Sequence, residues 1–185
     1  MPKIIAAINM TLDGFCDHTA VVAAEEMHWY YADLLNNAGA VLYGRITYQL
    51  MEYWIPFAKN PSDNKATNKF ARAIDGVPKI IFSHTLTHLD WDTARLAKRS
   101  LKEEVLTLKR QSGKDVFICS PSLIVALTQL DLIDEYQLCV HPVIAGKGLP
   151  LFKNIHEKVN LKLLKSKTFD FGAMVLFYGK ANEVE

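Results

Sequence analysis

The segment from Val116 to Phe152 constrains the fold of this chain more than any other. It opens with an apolar run, Val116–Cys119, which is typical of a strand buried on both faces. The turn Ser120–Ser122 follows, and its central proline cannot continue a strand. Helical spacing then predicts a short amphipathic helix over 123–130, and a period of two predicts a strand from Tyr136. Strand, tight turn, helix and strand form a crossover unit of the kind that builds a mainly parallel sheet.

The turn at Ser120 lies at the carboxyl end of a central strand, where open α/β sheets place their ligands. A second turn, Gly44–Tyr48, follows the apolar run Ala40–Tyr43 in the same way. A glycine, an arginine and a threonine that open a helix are compatible with an anion site, because helix N–H groups and a guanidinium both bind phosphate. The residues alone leave open the alternative that Thr47 caps the helix and that Arg45 is solvated.

The remaining periodicities predict an α/β fold. Strands are expected over 3–9, 40–43, 77–83, 91–96, 116–119, 136–144, 159–169 and 173–181. Helices are expected over 23–37, 44–53, 101–112 and 123–130. Early units alternate strand and helix and the chain ends in an antiparallel hairpin, so we expect a mixed eight-stranded sheet with helices on both faces. Residues 56–69 are polar with two prolines, which predicts a surface excursion or a lid, and 70–74 predict a further helical turn.

Length and charge narrow the function classes. The chain has 185 residues, which fits one domain, and its net charge of +1 favours neither nucleic acid nor an anionic membrane surface. No apolar run approaches the ~18 residues of a membrane span, and no signal peptide is visible. Three widely spaced cysteines suggest no disulfide framework, so a cytoplasmic location is expected. His84 and His88 are four residues apart, but the segment does not look helical, and we therefore expect no metal site.

Polar candidates near the first strand are few. Asp13–Gly14 is a strong turn signal, and its simplest interpretation is turn chemistry alone. The alternative is that Asp13 lies in a substrate pocket, and it is the best polar candidate for that role.

Five motifs occur in an order and spacing that resemble a known family. They are Thr11–Phe15, Leu42–Tyr48, Lys79–Leu86, Leu132–Tyr136 and His141–Gly148, the last followed by Leu151–Phe152. The combination resembles the dihydrofolate-reductase-like family, and most closely the reductase domain of bifunctional riboflavin-biosynthesis enzymes. The resemblance covers nearly the whole chain.

The resemblance implies an NADPH-binding reductase with a three-layer αβα fold. Three turns at neighbouring strand ends and the later glycine-rich loop are the implied cofactor-binding positions. They are Gly44, Arg45, Ile46, Thr47, Ser83, Thr85, Ser120, Pro121, Ser122, Leu123, Gly146 and Gly148. In the family the turn at Ser120 carries a cis peptide bond, so a cis Ser120–Pro121 bond is predicted. Where the family commonly has two glycines this chain has Ser120–Pro121, and Pro121 lacks an N–H donor.

The family also informs the expected substrate and assembly. A helix carboxylate that would hold a pteridine is missing near His28, which argues against dihydrofolate. We expect an NADPH-dependent reductase of a small heterocyclic or carbonyl substrate, similar to the riboflavin-pathway pyrimidine reductase domain, with the proton delivered by water. The alternatives are a dihydrofolate reductase and a non-catalytic nucleotide-binding module. A homodimer is expected through apolar side chains of the terminal strands, unless these fill the monomer core: Phe169, Phe171, Val175, Phe177 and Tyr178.

Overall fold

The computed structural model describes residues 1–21 and 24–181. In this part of the chain, eight strands form one sheet. The strands are β1 (Ile4–Thr11), β2 (Ala40–Gly44), β3 (Lys79–Phe82), β4 (Ala94–Leu96), β5 (Val116–Ile118), β6 (Glu135–His141), β7 (Leu161–Thr168) and β8 (Met174–Lys180). The α-helices are α1 (Glu25–Asn36), α2 (Arg45–Met51), α3 (Ile55–Lys59), α4 (Lys65–Gly76), α5 (Leu101–Arg110) and α6 (Pro121–Gln129). A single 3₁₀ turn, Glu52–Trp54, joins α2 to α3. The predicted start of the first helix at Ala23 lies outside the described residues.

The strand order is β4-β3-β2-β5-β1-β6-β8-β7. The six strands from β4 to β6 pair in parallel, whereas β8 runs antiparallel to both β6 and β7. The predicted mixed sheet with a terminal antiparallel hairpin is therefore confirmed. The chain crosses from β1 to β2 in one direction and from β5 to β6 in the other, so the carboxyl ends of β1, β2 and β5 lie at the reversal point where such sheets bind ligands.

Alternate residues of β1 face two different hydrophobic clusters. Ile4, Ala6 and Ile8 pack with buried residues of α5 and α6. Ile5 and Ala7 pack with buried residues of α1 and α4 on the opposite face. Because both faces of the central strand are covered, the molecule has three layers, and its strands show the continuous apolar runs of buried parallel strands.

The irregular conformation predicted for 56–69, as a surface excursion or a lid, is wrong. Helices α3 and α4 cover most of this stretch, leaving an irregular link of five residues, 60–64. The side chain of Asn64 accepts a hydrogen bond from the Thr67 N–H at 2.9 Å and so caps α4. Buried Ala66, Ala71 and Ile74 turn one face of α4 inward, where the helix packs against α1. Small alanine side chains mark this face, and their weak apolar signal explains why the polar residues dominated the prediction.

The terminal hairpin forms where it was predicted. Across its turn, the Phe169 N–H donates to the Ala173 carbonyl at 2.9 Å. Three of the five apolar residues named in the dimer argument do not face outward. Phe169, Val175 and Phe177 are buried in a cluster with Cys139 and pack against Tyr30 of α1. These three side chains therefore cannot form a dimer interface, and the homodimer itself stays a prediction. No described helix is long and apolar enough to span a membrane.

The predicted cis bond at Ser120–Pro121 is also wrong, since no peptide bond in the described residues is cis. Ser120 has extended backbone angles, φ −119° and ψ 127°, and Pro121 occupies the first position of α6. Proline is favoured at that position in the trans form, because its fixed φ suits a helix and its missing N–H would have no helical partner. Rotation at Ser120 therefore achieves the bend from strand to helix.

Candidate active site

Two adjacent cavities open at the carboxyl ends of the central strands. The first, which we call the turn cavity, has a volume of about 750 Å³ and the second, the apolar cavity, about 460 Å³. Four residues line both, and we call them the shared wall: Ile46, Thr47, Pro121 and Leu149. The site is thus a continuous cleft with two chemically different ends.

The turn cavity contains most of the residues expected to bind the cofactor. The predicted residues among its lining are Gly44, Arg45, Ile46, Thr47, Pro121, Ser122 and Leu123. The sequence reasoning missed others, among them Phe82, Gln129, Lys153 and Asn154. Arg45 and Lys153 are exposed cations, and the Arg45 guanidinium donates to Gln49 Oε1 at 3.1 Å. This end of the cleft is therefore electropositive.

Helix α6 begins at the turn cavity without a side-chain cap. The hydroxyl of Ser120, its N-cap residue, instead accepts a hydrogen bond from the Gly44 N–H at 2.9 Å, and Ser120 is almost fully buried. The first N–H groups of a helix have no intrahelical partner, and Pro121 has no N–H. The N–H groups of Ser122 and Leu123 consequently remain as donors for a ligand. Gly44 likewise gives no side-chain cap to α2, and a Cβ added at Gly44 would meet the hydroxyls of Ser122 and Ser120 at 3.6 and 3.8 Å.

Other expected cofactor residues have structural partners instead. The Ser83 hydroxyl accepts hydrogen bonds from the N–H groups of Thr85 and Leu86 at 3.1 and 3.0 Å, and neither Ser83 nor Thr85 lines the two cavities. Ser120 connects the turns at Gly44 and Ser120 through its hydrogen bond from the Gly44 N–H, and it lines neither cavity. Gly146 and Gly148 also lie outside both linings, and Gly148 packs against Phe15. A cofactor role for these five residues stays a prediction.

Asp13 holds a loop and is absent from the lining of both cavities. Its carboxylate accepts the Thr11 hydroxyl at 2.6 Å and the N–H groups of Ala145 and Gly146 at 3.1 and 2.7 Å. These bonds favour the charged form, the Thr11 hydroxyl most strongly, and lower the pKa of Asp13 to about 2. The turn-chemistry interpretation of Asp13 thus accounts for all of its contacts.

Backbone hydrogen bonds also join the 12–16 turn to residues 143–151. The pairs are Leu12 N–H to Val143 at 2.8 Å, Cys16 N–H to Leu149 at 2.8 Å and Leu151 N–H to Gly14 at 3.0 Å. Cys16 lines the apolar cavity and Leu151 lines the turn cavity. The two hydrogen-bonded segments therefore form one side of the whole cleft.

The apolar cavity is walled mainly by aliphatic and aromatic side chains from β1, β2, α1, α2 and α4. Its thiols, Cys16 and Cys119, are unreactive because burial raises the pKa of each to about 12. The α1 residue whose polar atom reaches this cavity is Tyr31, whereas His28 is packed between Trp54 and Phe70. The helix position facing the site is therefore Tyr31 and not His28, and it carries no carboxylate.

A buried hydrogen-bond network lies at the inner end of the apolar cavity. The Tyr31 hydroxyl donates to Asn9 Oδ1 at 2.9 Å, and His141 Nε2 is 3.2 Å from the same oxygen. Burial lowers the pKa of His141, so its ring is neutral near pH 7, and burial raises the pKa of Tyr31 well above its ordinary value. His141 reaches this network because β1 and β6 pair in parallel and place it opposite Thr11.

Within residues 1–21 and 24–181, no three His, Cys, Asp or Glu side chains are grouped closely enough to hold a metal ion.

The comparisons with known proteins agree with this geometry. The model of the RibD C-terminal domain matches residues 2–175. YyaP of Bacillus subtilis (strain 168) is 32% identical over 184 residues, covering 95% of this chain and 94% of its own. YwjB of the same organism is 26% identical over 152 residues, covering 82% of this chain and 79% of its own.

Solved structures show the same fold at low identity. A pyrimidine reductase-like protein of Corynebacterium diphtheriae has a TM-score of 0.67 at 15% identity, covering 98% of this chain and 93% of its own. The riboflavin biosynthesis reductase Rib7 of Saccharomyces cerevisiae has a TM-score of 0.64 at 14% identity, covering 97% of this chain and 90% of its own. With the family model matched from the second residue to the eighth strand, the chain belongs to the RibD C-terminal domain family, as the sequence motifs predicted.

Proposed function

We propose that the protein is an NADPH-dependent oxidoreductase that reduces a small carbonyl or heterocyclic substrate. The observation that carries the proposal is the cleft itself, in which an electropositive end with free helix N–H donors joins an apolar end. A phosphorylated dinucleotide needs the first environment, and a ring that must react away from water needs the second.

The residues of the turn cavity fit the phosphates of such a cofactor. The N–H groups of Ser122 and Leu123 point from the positive end of α6, and Arg45 supplies a guanidinium beside the neighbouring turn. We assign Arg45 to the 2′-phosphate that distinguishes NADPH from NADH, because a guanidinium binds a phosphate through two parallel hydrogen bonds. Lys153 adds a second cation to the same cavity.

When bound, the dinucleotide supplies a hydride, which with one proton from water adds two hydrogens to a C=O, C=N or C=C bond. The shared wall would hold the reacting ring between the two cavities, and the aliphatic and aromatic lining of the apolar cavity would keep bulk water from it. Tyr31 keeps its proton at neutral pH and donates a hydrogen bond to Asn9.

A dihydrofolate reductase is disfavoured by the same geometry. The helix residue that faces the apolar cavity is Tyr31, which cannot form the paired hydrogen bonds that a carboxylate makes to a pteridine.

Cofactor binding is the direct test. Equilibrium dialysis or calorimetry should show NADPH binding to the wild-type protein, and a Ser122→Phe variant should bind it at least about tenfold less tightly, since the new ring fills the mouth of the turn cavity. The matched control is Ser112→Phe, an exposed serine beyond α5. Binding that Ser122→Phe leaves unchanged, or no binding by the wild type, would overturn the proposal.

A further inference from the structure

The apolar cavity differs from the turn cavity in charge as well as in polarity. Among its described lining residues there is neither lysine nor arginine. Its one carboxylate, Asp17, accepts the Thr19 hydroxyl at 2.7 Å and the Thr19 N–H at 2.9 Å, and these bonds lower the pKa of Asp17. Asp17 is therefore ionised at neutral pH and lies at the same cavity as the exposed imidazole of His18.

This charge distribution disfavours a phosphorylated substrate. A phosphate in the apolar cavity would lose water without gaining a lysine or arginine partner, and it would approach the Asp17 carboxylate. An unpaired charge in an apolar site is costly, and a like charge nearby adds to that cost. The cations of the cleft, Arg45 and Lys153, line the other cavity.

The orientation of the Asn9 amide indicates what the cavity does recognise. Tyr31 and His141 both converge on Asn9 Oδ1, and a neutral His141 that donates from Nε2 leaves its Nδ1 as the lone-pair atom, which has no partner in the described residues. When His141 donates from Nε2, Oδ1 accepts from two donors, and a rotated amide would lose both bonds. Asn9 Nδ2 makes no hydrogen bond to any described residue, and Asn9 lines the cavity.

We infer, on the basis of the proposed function, that the substrate is an uncharged, unphosphorylated ring compound whose carbonyl oxygen accepts a hydrogen bond from the Asn9 side-chain amide. Asn9 neither gains nor loses a proton in this role. Its N–H polarises the C=O bond, so that the carbonyl carbon, or the β-carbon of a conjugated enone, accepts the hydride while water supplies the proton. This substrate class differs from the phosphoribosylamino compound named for the deaminase/reductase of Thermotoga maritima, which shares the fold.

An isosteric substitution separates the recognition role of Asn9 from its structural role. Asn9→Asp keeps an oxygen for Tyr31 and His141 but replaces the two N–H donors of the amide with an acceptor. With cyclohexenone as the carbonyl probe, kcat/KM should fall about 100-fold at neutral pH, the usual effect of removing one donor to a developing oxyanion. NADPH affinity should stay within about twofold of wild type, since Asn9 lies outside the turn cavity.

The pH profile adds a readout that a merely structural change would not move. Once protonated, the carboxyl group that Asn9→Asp introduces is a donor again, so the activity of the variant relative to wild type should rise as the pH falls. Asn160→Asp, at an exposed position, is the matched control and should behave as wild type. Wild-type activity in Asn9→Asp at neutral pH, or a loss that no decrease in pH restores, would overturn the assignment of Asn9.

Substrate charge is tested with one ribosylaminopyrimidine, with and without its terminal phosphate. The unphosphorylated compound should be bound or reduced at least about tenfold better. Leu50→Lys places a cation at a partly exposed lining position of the apolar cavity and should narrow this ratio, whereas Leu130→Lys, at an exposed position outside both cavities, should not.

The two proposals fail in distinguishable ways. If NADPH binds but the phosphorylated compound is preferred, the substrate inference is wrong and the cofactor assignment stands. If NADPH does not bind, both are wrong.

Discussion

The two cavities of the cleft are built from neighbouring parts of one sheet edge, yet they select opposite chemistry. The turn cavity presents backbone N–H donors, Arg45 and Lys153, while the apolar cavity presents hydrocarbon walls, one amide and one carboxylate. The difference comes from which elements face each space. Helix starts and a surface loop line the first, whereas the apolar faces of α1 and α2 line the second. The comparison teaches that one reversal point in a sheet can form two neighbouring cavities of different charge and polarity.

The largest effect should come from removing charge at the turn cavity. We expect Arg45→Ala to weaken NADPH binding about 10- to 100-fold, the usual contribution of hydrogen bonds to a charged group, and to leave NADH binding nearly unchanged. Calorimetric titration of both cofactors measures this, with the exposed Arg110→Ala as control. Equal losses for NADPH and NADH would mean that Arg45 does not read the 2′-phosphate, and the contrast between the cavities would then rest on backbone donors.

A smaller effect is expected from the bond that joins the two turns. Ser120→Ala removes the acceptor of the Gly44 N–H and should lower the free energy of unfolding by about 1–3 kcal/mol, the cost of an unsatisfied buried group. The same change should weaken NADPH binding, because the two turns are no longer held together. Denaturant unfolding measures the first quantity, and Ser122→Ala, on the exposed side of the same turn, should change it by much less. Equal stability of the two variants would count against this role of Ser120.

The smallest effect concerns the loop that borders both cavities, and it depends on pH. The pKa of Asp13 is about 2 in the folded chain against an ordinary 3.8. A carboxyl whose pKa is lowered by folding adds stability that is full above its ordinary pKa and is lost as the pH falls toward the folded value. The stability difference between wild type and Asp13→Asn should therefore be constant from neutral pH to about 4 and shrink between about 4 and 2.

Thermal unfolding across that pH range provides the measurement. Asp63→Asn, at an exposed position in the link before α4, is the control and should show no such trend. A wild-type advantage over Asp13→Asn that persists at pH 2 would show that the carboxylate does not act through its charge.

Features that depend on local backbone chemistry were predictable from the sequence. The turns at Gly44 and Ser120 follow apolar strands directly, and glycine, proline and helix-opening residues mark them. The Asn9 network was not predictable in the same way, because Asn9 and His141 are 132 positions apart and meet only through the pairing of β1 with β6. The site-facing position of α1 was also misplaced. A count along the sequence put it at His28, three residues before Tyr31, because the count does not fix the rotation of the helix about its axis.

Two wrong predictions and one unsupported argument, that for the dimer interface, had different physical causes. The cis bond was carried over from a family that bends this turn at the peptide bond, whereas this chain bends it by rotation at Ser120 ahead of a trans proline. The expected lid was inferred from polar composition, whereas buried alanines and the Asn64 cap make α4 a helix. The dimer argument counted aromatic residues in the terminal strands without knowing that α1 covers them.

The shared wall of Ile46, Thr47, Pro121 and Leu149 makes the two binding equilibria of the cleft interdependent. An occupant of one cavity changes the surface that the other cavity presents, and thermodynamic linkage requires the change in affinity to be the same in both directions. A substitution at Ile46 therefore has no purely cofactor or purely substrate phenotype. Its effect must be read as a coupling free energy, obtained by titrating each ligand in the absence and in the saturating presence of the other.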